Sequence, residues 1–241
     1  MKVFKSLMNC LYKYNDRLPI RMAQVDSSDG KLRISTTDGF CLSSFIFKKI
    51  KNKNYYYITS SMLDKLANSD KFKFKNGCMN NIVLIEDGGS VRICDNSVTI
   101  GSYQNREAKE HFPNVDSVVP TDFKFSFIVD RKKLVKALKD EEHITLKFYG
   151  NKLHIISSKY KPRAKKIVRA NKSKAILSME CLNGELHEYV SFDAKKLKNV
   201  LCVPSDEVCL RFNGTVSAFG IYYDDEDLGV RNLIMPVRSS D

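Results

Sequence analysis

Hydrophobic and polar positions alternate along much of this chain, and a few short stretches switch to helical spacing. Runs such as KLRISTTDG (31–39), YYYITS (55–60), SVRICDNSVTIGSY (90–103), HITLKFYGNKLHIISS (143–158) and VCLRFNGTVSAFGIYY (208–223) have the two-residue period or β-rich composition of strands. Helical spacing recurs around Lys2–Tyr14, Ser60–Asn68, Asp130–Asp140 and Asp193–Cys202. The pattern predicts an α+β fold, antiparallel sheets with helices on one face.

Two of the helical stretches resemble each other residue by residue. VDRKKLVKAL (129–138) matches FDAKKLKNVL (192–201), each with an Asp suited to cap the helix and a following Lys-Lys-Leu. The helical leucines Leu7, Leu63, Leu134 and Leu197 are 56, 71 and 63 residues apart. One helix plus several strands fills such an interval, so four repeats make two tandem domains of two repeats each. The boundary is expected near Pro120, in PNVDSVVPTD, giving domains 1–120 and 121–241.

On an ideal helix Leu134, Val135 and Leu138 share a face, with Lys132 and Lys136 opposite and Lys133 and Lys139 beside them. In the second copy Leu197, Val200 and Leu201 are opposed by Lys195, with Lys196 and Lys198 on the flanks. Lysines so placed reach phosphates while the leucines hold the helix to its sheet, which gives sequence-independent, salt-sensitive contact. The corresponding segments of the first half offer Lys2, Lys5 and Lys65. No Asn, Gln or Arg cluster on these faces reads bases.

Charge supports a polyanionic partner. The net charge is +12, and residues 1–120 (18 basic, 12 acidic) and 121–241 (22 basic, 16 acidic) each carry +6. Nucleic acid is favoured over a membrane surface, although a lysine excess serving solubility alone is the plain alternative. No apolar run approaches a membrane span, and the charged N-terminus does not read as a signal peptide. Seven scattered cysteines without a CxxC pair read as reduced thiols of a cytoplasmic protein.

Catalytic signatures are missing from the sequence. There is no GxxxxGK[ST] or GxGxxG, and the histidines (111, 143, 154, 187) have no metal-ligand spacing. The consecutive Asp224, Asp225, Glu226 and Asp227 read as a loop between strands rather than a metal cage. Neither cofactor nor metal is expected, and a binding protein is favoured over an enzyme such as a nuclease. The stretch KYKPRAKKIVRANKSK (159–174), with eight basic residues and no acid, offers either an exterior contact or a strand edge guarded by charge; the guarded edge is favoured.

Three segments carry a family resemblance. LRISTTDGFCLS (32–43) resembles the L-R-x-x-A-T-D-G-H-R-L-A signature in the second domain of the bacterial DNA polymerase III β subunit, the replicative sliding clamp. HFPNVDSVVP (111–120) is similar to the F-P-x-x-x-x-V-x-P segment closing that domain, and NLIMPVR (232–238) to the family's terminal V-V-M-P-M-R-L. The three occur in the family's order, and the resemblance covers the chain as the family's second and third domains. It implies the DNA-clamp fold and a non-enzymatic processivity factor in DNA replication that encircles double-stranded DNA. A polymerase, clamp loader or other DNA-acting protein would dock on it through a short peptide. Carried over, the peptide pocket comprises Arg17, Ile20, Thr37, Gly39, Phe40, Leu42, Pro113 and Val118, with Val216, Ala218, Leu233, Ile234, Met235, Pro236, Val237 and Arg238. A core strand ending the chain is the plain alternative for the last of these.

The sequence departs from the family in three places. Phe40-Cys41 replaces the family's His-Arg, the basic 159–174 stretch replaces a usually acidic one, and the family's first domain has no counterpart, nor does a strand before the first helix. A six-domain ring would then need three chains joined head to tail. The leading expectation is therefore a homotrimeric clamp in the cytoplasm, associated with the nucleoid. The alternative is an adaptor that never closes, monomeric or paired with a host clamp, binding clamp-interacting peptides.

Overall fold

The computed structural model describes residues 3–11, 18–51, 56–60, 63–64, 83–87, 90–94, 112–161, 166–183, 189–237 and 239–240. They fall into two compact units. The first comprises Met1–Val119 with Cys202–Pro204 and Asp224–Arg231; the second comprises Pro120–Leu201, Ser205–Tyr223 and Asn232–Asp241.

The first unit contains helix α1 (Val3–Asn9), a 3-10 turn (Leu18–Arg21), strands β1 (Met22–Ser28), β2 (Lys31–Thr37), β3 (Cys41–Lys51) and β4 (Tyr56–Thr59), the hairpin β5 (Val83–Asp87) with β6 (Ser90–Cys94), and the short helix α2 (Val115–Val118). The strand order is β4-β1-β2-β3, antiparallel throughout. Asp29 and Gly30, both at positive φ, close the β1–β2 hairpin as a tight Asp-Gly turn. Leu32 and Ile34 of β2 are buried together with Phe4 and Leu7 of α1.

The other face of β2 is polar and equally buried. Arg33, its side chain 5% exposed, donates from Nε and Nη2 to Asp26 at 2.7 and 2.6 Å, and from Nη1 and Nη2 to Asp116 of α2. A guanidinium fork meeting two carboxylates is favourable geometry for a buried cation. Burial works against the charge of Arg33, but the two carboxylates outweigh it and hold the group protonated. Burial raises the Asp26 carboxyl despite its bonds to Arg33, whereas the Arg33 bond lowers the mostly exposed Asp116. A lowered native value stabilises above the ordinary aspartate range, and that contribution is lost as pH falls through the native value. Asp116→Asn should therefore lower the thermal midpoint at pH 7, with the gap to the parent closing below about pH 4. Thermal scans of both proteins across pH check it; a gap independent of pH would refute it.

The second unit is built on a visible repeat. β7 (Phe125–Asp130) leads into α3 (Arg131–Ala137), then β8 (His143–Tyr149), β9 (Lys152–Lys161) and β10 (Lys166–Asn183). β11 (Tyr189–Asp193) leads into α4 (Ala194–Val200), then β12 (Glu207–Phe212), β13 (Phe219–Asp224) and β14 (Leu228–Ile234), of which Leu228–Arg231 belong to the first unit, with a terminal β15 (Ser239–Ser240). Neighbouring strands run β11-β8-β9-β10-β7-β12-β13. β10 is shared: Lys166–Ser178 pair with β9, and Met179–Asn183 with β7. Val208, Leu210 and Phe212 alternate inward as the sequence period requires. The core is a chain of phenylalanines: Phe127, Phe148, Phe212, Phe219 and Phe192 meet successively at 4.9–5.1 Å between ring centres.

Three differences from the sequence expectations have plain causes. Strand β1, MAQVDSS, lies outside the alternating runs read from the sequence: its first five residues, Met22–Asp26, are all buried, so neither face shows the polar half of an alternation. The helices are shorter than their periodic runs, since Asp130 and Asp193 are caps and Asp140, at φ 62°, lies past the end of α3. The basic stretch 159–174 is not an open edge at Ile167–Val168, whose backbone pairs with β9 on one side and β15 on the other. Most of the helix expected at 60–68 and part of the strand run 90–103 lie outside the described residues.

Candidate nucleic-acid and peptide surfaces

The lysine-bearing helices are fixed by the same local device. Asp130 accepts a hydrogen bond from the Lys133 backbone N–H at 2.8 Å, and Asp193 from that of Lys196 at 2.9 Å. Each satisfies an N–H that the helix leaves unpaired and sets a negative charge at its positive end. The bond from the Lys133 N–H holds the Asp130 carboxyl below its usual value. At the other end of α4 the fully buried Asn232 donates to the Val200 carbonyl at 2.7 Å. Removing either cap, Asp130→Ala or Asp193→Ala, is expected to cost about 1 kcal/mol, with the asparagine variants costing less. Urea unfolding checks it, and equal losses for Ala and Asn at both sites would exclude capping as the cause.

The apolar sides of these helices are inward. Leu134, Leu138, Leu197, Val200 and Leu201 are fully buried, while Lys132, Lys133, Lys136 and Lys195 are exposed and Lys196 and Lys198 half-buried. These lysines are not equally available. Lys132 pairs with Asp206 at 2.7 Å and Lys133 with Asp130 at 3.3 Å. Lys136, Lys195 and Lys198 make no ion pair among the described residues. Asp206 was not legible as a partner because it sits 74 residues from Lys132. Lys5 lies within α1; Lys2 and Lys65 fall outside the described residues.

The residues carried over to a peptide pocket divide between the units. In the first, Thr37, Asp38 and Gly39 build the turn into β3. The Thr37 hydroxyl donates to the Cys41 carbonyl at 2.6 Å, and Asp38 accepts from the Phe40 and Cys41 N–H groups at 2.8 and 2.6 Å. Gly39 takes φ +86°, a conformation side chains resist. The turn holds Phe40 outward, 60% exposed, and Val118 is also exposed; Ile20, Thr37 and Leu42 are buried and Pro113 half-buried. In the second unit Val216 and Met235 are exposed, Ala218, Pro236 and Val237 half-buried, and Leu233 and Ile234 buried. The Val237 N–H donates to the Ser191 carbonyl at 2.9 Å. Arg17 and Arg238 lie outside the described residues.

The acidic run is a turn. Asp225 accepts from the Asp227 and Leu228 N–H groups, both at 2.7 Å; Lys48 pairs with Asp224 at 2.7 Å and Lys49 with Asp227. Among the described residues no three His, Cys, Asp or Glu side chains are placed to hold a metal, and no helix is long and apolar enough to cross a membrane. Burial, with Cys41, Asp38 and Cys202 nearby, pushes the Cys10 thiol up and keeps it protonated.

Comparison with solved structures identifies the architecture. The chain is similar to the DNA polymerase III β subunit of Thermotoga maritima (TM-score 0.73, 17% identity, 99% of this chain and 63% of that one). It is similar to the DNA polymerase sliding clamp of Pseudomonas aeruginosa determined with a ligand (0.71, 15%, 98% and 64%). A third is the sliding clamp of Bartonella birtlesii bound to griselimycin (0.69, 17%, 97% and 64%). The chain thus spans somewhat under two thirds of the length of these clamps. No protein-family model matches the sequence, and no curated protein matches it.

Proposed function

With the sliding-clamp fold as premise, we propose that this chain is a DNA clamp: it binds duplex DNA without reading sequence and presents a docking pocket to proteins that act on DNA. The observation that carries the reading is the repeated helix of the second unit. Two copies of one cap, one leucine face and one lysine face support a surface built for phosphate rather than for bases. Lys136, Lys195 and Lys198, free of ion pairs among the described residues, are the strongest of the proposed contacts, joined by Lys132, Lys133 and Lys196 and, from the first unit, Lys2, Lys5 and Lys65.

In this reading Phe40 and Val118 of the first unit, and Val216 and Met235 of the second, are exposed apolar groups offered to peptides from a polymerase, a clamp loader or another client, in the cytoplasm at the nucleoid. The protein does no chemistry; it holds its clients on DNA by topology. A ring of six clamp domains takes three chains of two domains each.

The test is retention on DNA without ends. A clamp loaded on nicked circular DNA stays bound through a high-salt wash and is released when the circle is linearised, and light scattering shows an oligomer. A monomer that leaves circles and linear DNA alike overturns the ring and leaves the open adaptor.

A further inference from the structure

The sheet of the second unit carries a patch on the face turned away from its phenylalanine core, made of none of the residues assigned to the peptide pocket or to the lysine faces of α3 and α4. Tyr189 of β11, Lys147 of β8 and His154 of β9 stand in one cross-strand row, and Tyr149 and Lys152 pair in the next. We propose that this patch binds single-stranded DNA, its bases stacking on the tyrosine rings and its phosphates meeting the cations around them.

Strand alternation sets the patch. Ile144, Leu146 and Phe148 of β8, Leu153 and Ile155 of β9, and Val190 and Phe192 of β11 are buried, so the residues between them lie on the outer face. At one end of that face Thr145 shares hydrogen bonds with Ser158 and Ser191 at 2.5 and 2.7 Å, and all three are buried. Towards the other end the face opens, and Tyr149 is 56% exposed. The Lys147 ammonium lies 5.7 Å from the centre of the Tyr149 ring and 5.1 Å from that of Tyr189. Attracted to both rings, it steadies them on the sheet and sets a positive charge beside each.

Charge and ring chemistry choose the occupant. Lys147, Lys152 and His154 make no ion pair among the described residues. The single acid in the strands β8, β9 and β11, Asp193, is committed to capping α4. A duplex would meet the lysines but keeps its base faces inside the stack, and an acidic peptide would leave the rings unused. A single strand uses both rings and cations, without sequence preference, because every base has a π-face. Stacking and phosphate contact serve RNA equally; the choice of DNA rests on the duplex-DNA reading above.

The probe is a fluorescein-labelled oligothymidylate of about twelve nucleotides, titrated against the full chain by anisotropy. Saturable, salt-sensitive binding is expected, weakened at least about fivefold in Tyr149→Ala and retained in Tyr149→Phe, which keeps the ring. Lys147→Gln should weaken it as well. An abasic strand of the same length keeps the phosphates and lacks the bases, so it should bind at least about tenfold more weakly. Tyr149→Ala should leave duplex affinity and the circular dichroism spectrum unchanged. The proposal falls if oligothymidylate shows no saturable binding up to about 1 mM, if the abasic strand binds as well, if Tyr149→Ala binds like the parent, or if the corresponding oligouridylate binds more tightly. Displacement by polyglutamate as effective as by unlabelled oligothymidylate would assign the patch to an acidic peptide and overturn it too. Loss of retention on circular DNA with oligothymidylate binding intact would overturn the ring alone, and the reverse pattern the patch alone.

Discussion

Replacing Arg33 by methionine is expected to cost about 3–5 kcal/mol of stability, because it removes one partner of a buried ion pair and leaves the other. The methionine keeps much of the apolar stem, so the loss is electrostatic rather than a cavity. Asp26, whose side chain is 11% exposed, would then lose the Arg33 guanidinium, and so would Asp116. Burial already raises the Asp26 carboxyl, and its bonds to Arg33 are what oppose that rise. In the variant most of that opposition is gone. An acid whose native value is raised is best tolerated below its unfolded value and costs stability as pH climbs through the native one. The deficit of Arg33→Met should therefore be greater at pH 8 than at pH 4, measured as urea midpoints at both. Adding Asp26→Asn should recover part of the loss at pH 8. An unchanged midpoint at pH 8, or a deficit equal at both pH values with no rescue, would show that the triad contributes packing alone.

This triad also marks how far the sequence could be read. The Arg33 position looked like the polar half of an alternating strand, which on periodicity alone faces solvent. It is buried because α2 brings Asp116 over it from 83 residues away, and no local pattern records that distance. Where the determinants are local, the reading succeeds. The two Asp-x-Lys-Lys-Leu segments state both the cap and the buried face, and α3 and α4 carry them out with nearly the same cap geometry. Shortening of those helices also has a local origin. An Asp in extended conformation at one end, and a leucine whose N–H closes the last turn at the other, leave seven residues between.

The site was legible to a lesser degree, for the same reason. Helical geometry separates Lys132 and Lys136 from Leu134 and Leu138, yet it does not show that Asp206 pairs with Lys132 while Lys136 has no ion pair among the described residues. Lys139 and Lys174 belong to one groove although one lies past α3 and the other within a strand. Their association depends on α3 lying against β10, a tertiary fact. The TDGF turn is the opposite case. Thr, Asp and Gly at those positions specify the hydrogen bonds and the positive φ that hold Phe40 outward, all within five residues.

Neutralising the free lysines gives the second large effect. If Lys136, Lys195 and Lys198 each neutralise one phosphate, the triple glutamine variant lowers the slope of log affinity against log salt by about 2.7, at about 0.9 per contact. At 0.1 M salt the same term amounts to a loss on the order of a few hundredfold in duplex affinity. Glutamine keeps the helix and removes only charge, and none of the three lysines has an ion partner among the described residues whose loss would unbalance the fold. Lys132→Gln is the internal control: its charge is already engaged by Asp206 at 2.7 Å, so its effect on the slope should fall below that of Lys136→Gln. Binding isotherms on duplexes of unrelated sequence, each taken from 50 to 300 mM salt, measure both quantities. Loss that is uniform across sequences identifies backbone contact. A slope unchanged in the triple variant would remove α3 and α4 from the DNA-binding surface, and with them the argument that their repetition serves phosphate.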